Sequence, residues 1–122
     1  KNKLSYAGAN NSLYIVRRGE LIELSADKMP IGIYMGIDRP FTTKELMLEP
    51  GDTIYLFTDG YADQFGGEQG KKFTKKRFKE ALVKLGNEPL IAQRNTLEKT
   101  LNTWAGNEQQ VDDVLVIGIR ID

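Results

Sequence analysis

The chain contains neither cysteine nor histidine, and these two absences remove whole classes of chemistry. Without cysteine there is no disulfide, no thiolate zinc site and no thiol nucleophile. Without histidine there is no Ser-His-Asp triad and no phosphohistidine intermediate. An excess of either charge is lacking too. Lys+Arg and Asp+Glu number 17 each, so no global field draws the protein to nucleic acid or to an anionic membrane. No run approaches the roughly 20 apolar residues that a membrane helix requires. Catalysis, if present, must use carboxylates, Lys, Arg, hydroxyls or a metal held by oxygen ligands. Such ligands select magnesium, manganese or calcium over zinc and copper. The lack of cysteine agrees with a cytoplasmic setting. At 122 residues the chain is one domain at most, and a start at Lys1 with no signal peptide suggests a piece excised from something longer.

The most informative stretch runs from Asp52 to Asp63. It opens at a turn, Glu49-Pro50-Gly51-Asp52, where Pro presets one backbone angle and Gly supplies the unusual one. Ile54 to Thr58 follows, uncharged and rich in β-branched and aromatic side chains, which suits a strand buried on both faces. Asp59 and Gly60 come at its end. A carboxylate delivered by rigid backbone to a solvent-facing position suits a metal ligand or catalytic acid. Gly60 permits a sharp turn and the close approach of another group. The plainer reading of the same residues is a strand ending in an Asp-Gly turn.

Elsewhere the pattern is mostly strands, then helices, then a strand. Leu4 to Ala7 leads into the turn-rich Gly8-Ala9-Asn10-Asn11. Leu13–Val16 and Leu21–Leu24 flank Arg17-Arg18-Gly19-Glu20, a hairpin signal in which Gly19 takes a positive φ. Ala26 to Gly32 is expected as a loop, with Pro30 barring a helix just before it, and Phe41 to Leu48 as a further strand. Three glycines in Gln64–Gly70 predict a mobile loop. Lys71 to Leu85 predicts a helix with a basic face, read as solvated surface, and Gly86-Asn87 ends it as a glycine just past a helix end does. Pro89 to Trp104 predicts a second helix. Asp112-Asp113 then heads another apolar strand, expected to be buried. Segregated elements in this order predict an α+β layered domain.

If the strands at Ile54 and Val114 lie antiparallel and adjacent, Asp59 meets Asp112 and Asp113. Clustered carboxylates repel one another unless a cation lies between them. The alternative is that Asp112-Asp113 guards a strand edge against aggregation.

Together, Leu56 to Asp63, Ala7-Gly8-Ala9-Asn10-Asn11 before an apolar hairpin, and Val111-Asp112-Asp113-Val114 resemble the SpoIIE/RsbU group of bacterial PPM-type (type-2C-like) metal-dependent serine/threonine phosphatases. Pro30-Ile31-Gly32 also matches a family element. The resemblance covers essentially the whole chain but only the C-terminal half of the family's domain, so residues 1–122 are expected to be a single partial domain. It implies part of a β-sandwich flanked by helices, with two manganese or magnesium ions at one end in the intact domain. Asp59 matches the ligand of the Thr/Ser-Asp-Gly motif; Asp112 matches the ligand of the Asp-Asp motif and Asp113 its neighbour. The implied substrate is a phosphoserine or phosphothreonine on a partner protein, such as an anti-sigma factor antagonist, in regulatory signalling. No nucleic-acid or membrane contact by this segment is implied.

Three departures stand out. The family's upstream aspartate with its Gly-His-Gly-like turn does not occur here, so the site is expected to be incomplete and the segment inactive alone. Leu115 replaces a common Thr after the Asp-Asp motif, and Asn10 with its neighbours replaces a Gly-His pair. Uncovered strand edges also predict self-association. The runner-up is a non-catalytic phosphatase-like signalling or dimerisation module. A haloacid-dehalogenase reading of Phe57-Thr58-Asp59-Gly60 fails, because the nucleophilic aspartate is missing. Asp59, Asp63 and Glu68 lack the alternating spacing of a calcium loop.

Overall fold

A computed structural model describes residues 3–6, 12–24, 44–110 and 112–122. Its strands are β1 (Lys3–Tyr6), β2 (Leu13–Arg17), β3 (Glu20–Leu24), β4 (Lys44–Met47), β5 (Thr53–Phe57), β6 (Phe65–Gly66), β7 (Lys71–Lys72) and β8 (Val116–Arg120). Between β7 and β8 lie the helices α1 (Lys75–Leu85) and α2 (Leu90–Ala105). The expected α+β order therefore holds. The Ala7–Asn11 turn, the Ala26–Gly32 loop with its Pro-Ile-Gly element, and the start of the Phe41–Leu48 strand lie outside the described residues.

A four-stranded antiparallel sheet in the order β3-β2-β5-β8 forms the frame, and β1 pairs with β4 in a separate two-stranded sheet. The β2–β3 hairpin turns through Arg18 and Gly19, with φ of 48° and 79°. Two consecutive positive values make the turn that matches the right-handed twist of its strands. Alternation along β5 sorts its side chains. Tyr55 and Phe57 face the helices, joining Tyr14, Val16, Phe78, Leu82, Leu85 and Leu97 in one core. Ile54 faces the other way, joining Leu13 and Ile15 beneath Leu46 and Leu48. Tyr14, Phe57 and Phe78 form the aromatic centre, with Phe57 4.5 Å from Tyr14 and 5.2 Å from Phe78. Each such ring, fully buried, contributes on the order of 1.5–3 kcal/mol.

Five local expectations are corrected. The first helix begins at Lys75, not Lys71, because Lys71 and Lys72 pair with Gly66 and Phe65. Phe73 is buried as a loop residue whose ring packs edge-on against Tyr61 and Trp104. The glycine-rich Gln64–Gly70 segment is tied down. A Cβ on Gly66 would stand 1.8 Å from the Trp104 carbonyl oxygen, which accepts the Gly67 N–H at 2.8 Å. Gly86 keeps right-handed helical φ, so it is not a left-handed cap. A Cβ there would lie 2.5 Å from Val16 Cγ1, and close packing of α1 on β2 is what requires glycine. On β5, Leu56 is exposed, so only part of that strand is covered on both faces. Among the described residues strand β8 is an edge strand rather than a buried one, with Ile117 and Ile119 exposed.

Candidate metal centre

The antiparallel pairing of β5 with β8 sets Phe57 opposite Val116. Thr58 and Leu115 therefore continue the ladder, and Gly60, the residue after Asp59, falls against Asp113. Thr58 stitches this junction three times. Its N–H donates to the Leu115 carbonyl at 3.0 Å, its hydroxyl donates to the Asp113 carbonyl at 2.8 Å, and the same hydroxyl accepts the Leu115 N–H at 3.0 Å. Gly60 completes the fit. A Cβ there would meet the Asp113 carbonyl oxygen at 2.2 Å and Val114 Cα at 3.1 Å. Within Thr58-Asp59-Gly60, then, the threonine binds the neighbouring chain, the aspartate projects a carboxylate and the glycine makes room.

After Gly60 the chain makes a tight helical turn in which the Asp63 N–H donates to the Asp59 carbonyl at 2.9 Å. Tyr61 anchors this turn by donating its hydroxyl to the Leu97 carbonyl of α2 at 2.6 Å. Burial pushes the Tyr61 hydroxyl up to about 12, so it stays a neutral donor. Ala62 O accepts the Thr74 N–H at 2.7 Å, which brings the start of α1 alongside the site. Lys75 Nζ consequently lies 3.7 Å from Asp59 Oδ1, and Lys72 Nζ lies 3.7 Å from Asp63 Oδ1. Tyr14 approaches from β2. Burial, then the charges of Glu23 and Asp59, push its hydroxyl up to about 12. That hydroxyl is buried, with no hydrogen-bond partner among the described residues.

The two strands are adjacent and antiparallel as the sequence reading required, and the Asp113 carbonyl lies against Thr58 and Gly60 on either side of Asp59. Asp59, Asp112 and Asp113 are all exposed at one end of the sheet. Carboxylates are the donor type for magnesium or manganese, and these fit such an ion as contributors. They are not a closed cage: among the described residues no group of three or more Asp, Glu, His or Cys side chains is arranged to hold a metal. Sequence reasoning placed Lys72 and Lys75 on a solvated basic face and missed their contacts with Asp63 and Asp59. The buried Phe78, Leu82 and Leu85 were the available signal, since they fix which side of α1 faces outward.

Comparison with known proteins places this arrangement. The family model for Stage II sporulation protein E (SpoIIE) matches residues 1–122. The chain belongs to the SpoIIE family. Its fold is that of PP2C-type phosphatase domains. The SiaA-PP2C domain of Pseudomonas aeruginosa is 37% identical with a TM-score of 0.89, the match covering 99% of this chain and 47% of that one. The manganese-presoaked phosphatase domain of the cell fate determinant SpoIIE from Bacillus subtilis shares the fold at 19% identity and a TM-score of 0.65, over 98% of this chain and 50% of that one. The serine/threonine phosphatase PstP/Ppp of Mycobacterium tuberculosis does so at 18% and 0.60, over 99% and 56%. The chain thus spans about half the length of the structures it matches. No curated protein matches it. Among the described residues, no helix of this SpoIIE-family chain is long and apolar enough to cross a membrane.

Proposed function

We propose that this SpoIIE-family segment supplies part of the binuclear metal site of a serine/threonine protein phosphatase, and is the C-terminal part of that domain. The observation that supports this is the junction of Thr58, Gly60 and Asp113, which brings Asp59 to the Asp112-Asp113 pair. In this reading Asp59, Asp112 and Asp113 hold manganese or magnesium. Paired divalent ions supply an activated water and neutralise phosphoryl oxygens, chemistry that needs neither His nor Cys. Thr58 fixes the separation of the two acidic segments. Gly60 lets them touch. Lys75 compensates the charge of Asp59 and orders the first turn of α1 beside it.

The substrate is a phosphoserine or phosphothreonine on a partner protein, such as an anti-sigma factor antagonist, met in the cytoplasm. Taken alone, the segment binds metal weakly and turns over little, because a site with part of its ligands is neither filled nor preorganised. A second reading, a non-catalytic signalling module, is favoured by one observation: no three-ligand cluster exists among the described residues.

Manganese-dependent hydrolysis of an aryl phosphate separates the two. It compares this segment with a chain extended upstream by about a hundred residues, which keeps ordinary single-domain size. Activity is expected only in the longer chain, and Asp59→Asn or Asp112→Asn should abolish it. No activity and no manganese bound in either chain would overturn the phosphatase reading in favour of the module.

A further inference from the structure

Residues 71–79, Lys-Lys-Phe-Thr-Lys-Lys-Arg-Phe-Lys, carry six basic side chains and no acid, in a chain with 17 charges of each sign. Packing divides these six. Arg77 is structural: its guanidinium lies 4.6 Å from the Trp104 ring centre and donates to Phe73 O at 3.2 Å. Phe73 and Phe78 are buried and pin the segment from beneath. The lysines are left outward on a fixed backbone, Lys71 and Lys72 on β7, and Lys75, Lys76 and Lys79 on the first two turns of α1.

Three of them form a row along the candidate site. Lys72 Nζ lies 3.7 Å from Asp63, Lys75 Nζ 3.7 Å from Asp59, and Lys79 Nζ 2.8 Å from Glu23 of β3. The first two pairs are long and their lysines half-exposed, and such pairs hold a lysine only weakly against a competing anion. Lys76, three residues before Lys79 and so its neighbour on the helix surface, is exposed. At the β7 end stands Phe65, which pairs with Lys72 across the two short strands. Its ring is 40% exposed, with the Lys72 ammonium 5.8 Å from its centre.

Stability does not account for this placement. The positive end of a helix dipole favours Asp or Glu in the first turn and disfavours Lys and Arg. The first turn of α1 nevertheless holds Lys75, Lys76 and Arg77 and no acid. Lys75 and Lys79 add a like-charge pair at i and i+4, which is also unfavourable. Natural sequences break such local rules mainly at functional sites. Charge complementarity sets the sign of the ligand, and an exposed aromatic ring beside the lysines is a common element of protein-binding surfaces. The overall charge balance gives no broad field for nucleic acid or a lipid surface. A short acidic stretch of polypeptide is the partner that fits.

We propose that Lys72, Lys75, Lys76 and Lys79, with Phe65 at one end, receive acidic residues of the protein substrate on either side of its phosphoresidue. The proposal rests on the phosphatase reading above and specifies the sequence around the phosphate. The helix rises about 6 Å from Lys75 to Lys79, which matches about two residues of extended peptide. With the phosphoresidue at Asp59, Asp or Glu about two to four positions away meets the row. Charges at such a rim steer and select the partner, leaving the chemistry to the site itself.

Three labelled peptides test the row on a longer chain that carries the whole domain: a phosphothreonine flanked by glutamates, by glutamines or by lysines. Fluorescence anisotropy at low salt should rank them in that order, with the first bound about tenfold more tightly than the second. High salt should erase most of the ranking. Lys76→Glu should remove most of the preference. It also places an acid where the dipole of α1 favours one, so the thermal midpoint should hold or rise, and lost docking is then not lost folding. Equal affinity for the three peptides overturns the proposal, as does a preference undiminished in Lys76→Glu. Binding to phosphatidylserine vesicles without any peptide preference also overturns it, and gives the row to a lipid surface. Manganese-dependent release of phosphate from the same peptides keeps the two readings apart. A glutamate preference in binding without release sinks the phosphatase reading alone, and release from all three at equal affinity sinks the docking row alone.

Discussion

Gly60 and Asp113 approach so closely that a Cβ on residue 60 would stand 2.2 Å from the Asp113 carbonyl oxygen. The obstacle is backbone rather than a flexible side-chain end, so it cannot swing away. Gly60→Ala should push the Asp112-Asp113 segment off Thr58 and cost about 1–3 kcal/mol, the usual cost of overpacking. Thr58→Val keeps the shape but removes the hydroxyl that bridges Asp113 O and Leu115 N, a loss of about 1–3 kcal/mol if those groups are left unsatisfied. Thr58→Ser should recover most of it. Urea midpoints of the four proteins check this, and a Gly60→Ala protein as stable as its parent would refute the contact.

Thr74 is the N-cap of α1 and sits at φ 85°, ψ 154°, a region that is nearly restricted to glycine and strained for a β-branched residue. Three backbone bonds hold the segment: Phe73 N–H to Gln64 O, Thr74 N–H to Ala62 O, and Phe78 N–H to Thr74 O. Its side chain gives little in return, accepting the Arg77 N–H at a long 3.4 Å. Replacing a capping Thr by Gly costs only a few tenths of a kcal/mol, while the strain released is about 1–3 kcal/mol. Thr74→Gly should therefore raise stability by about 1 kcal/mol, read as a higher thermal midpoint.

What the sequence disclosed and what it hid divide along physical lines. The hairpin at Arg18-Gly19, the β5 run and the second helix were legible because turn chemistry and periodicity act locally. The meeting of the Asp59 and Asp113 segments was legible only conditionally, on β5 and β8 being neighbours. Gly66, Gly67 and Gly86 were misjudged for one shared reason. A glycine needed for close packing against Trp104 or Val16 looks, in sequence, like one needed for flexibility or a cap. Lys72 and Lys75 were read as solvated surface because their partners, Asp63 and Asp59, arrive through tertiary folding.

The Arg17–Asp52 pair makes stability depend on acid. Arg17 Nε and Nη2 donate to the two Asp52 carboxylate oxygens at 3.0 and 2.7 Å, and the Glu49 N–H adds a bond at 2.8 Å. Arg17 above all, opposed by burial and aided by that amide, holds the Asp52 carboxyl below its usual value. A carboxyl whose pKa is lowered by folding stabilises fully above its unfolded pKa, and the benefit fades as pH falls through the folded one. Asp52→Asn should cost about 1.5–3 kcal/mol at pH 7, as for hydrogen bonds to charged groups. The gap between the two proteins should narrow steadily below about pH 4. Urea titrations at pH 7, 5 and 3 measure it, and a gap independent of pH would remove the charge from the explanation.

Tyr14 offers the opposite case, a polar group whose removal should help. Its ring is fully buried against Phe57 and Phe78, and its hydroxyl finds no partner among the described residues. An unsatisfied buried hydroxyl costs about 1–3 kcal/mol, whereas Phe keeps the ring, its stacking and the Lys79 ammonium 5.5 Å from its centre. Tyr14→Phe should therefore fold at least as stably as the parent, with a gain of about 1 kcal/mol. After burial and Glu23, the charge of Asp59 also helps raise the Tyr14 hydroxyl. Calorimetry with and without manganese on the longer chain distinguishes the two roles. A gain in both conditions marks Tyr14 as purely structural. Stabilisation without manganese together with weaker manganese binding would give the hydroxyl a positioning role at Asp59.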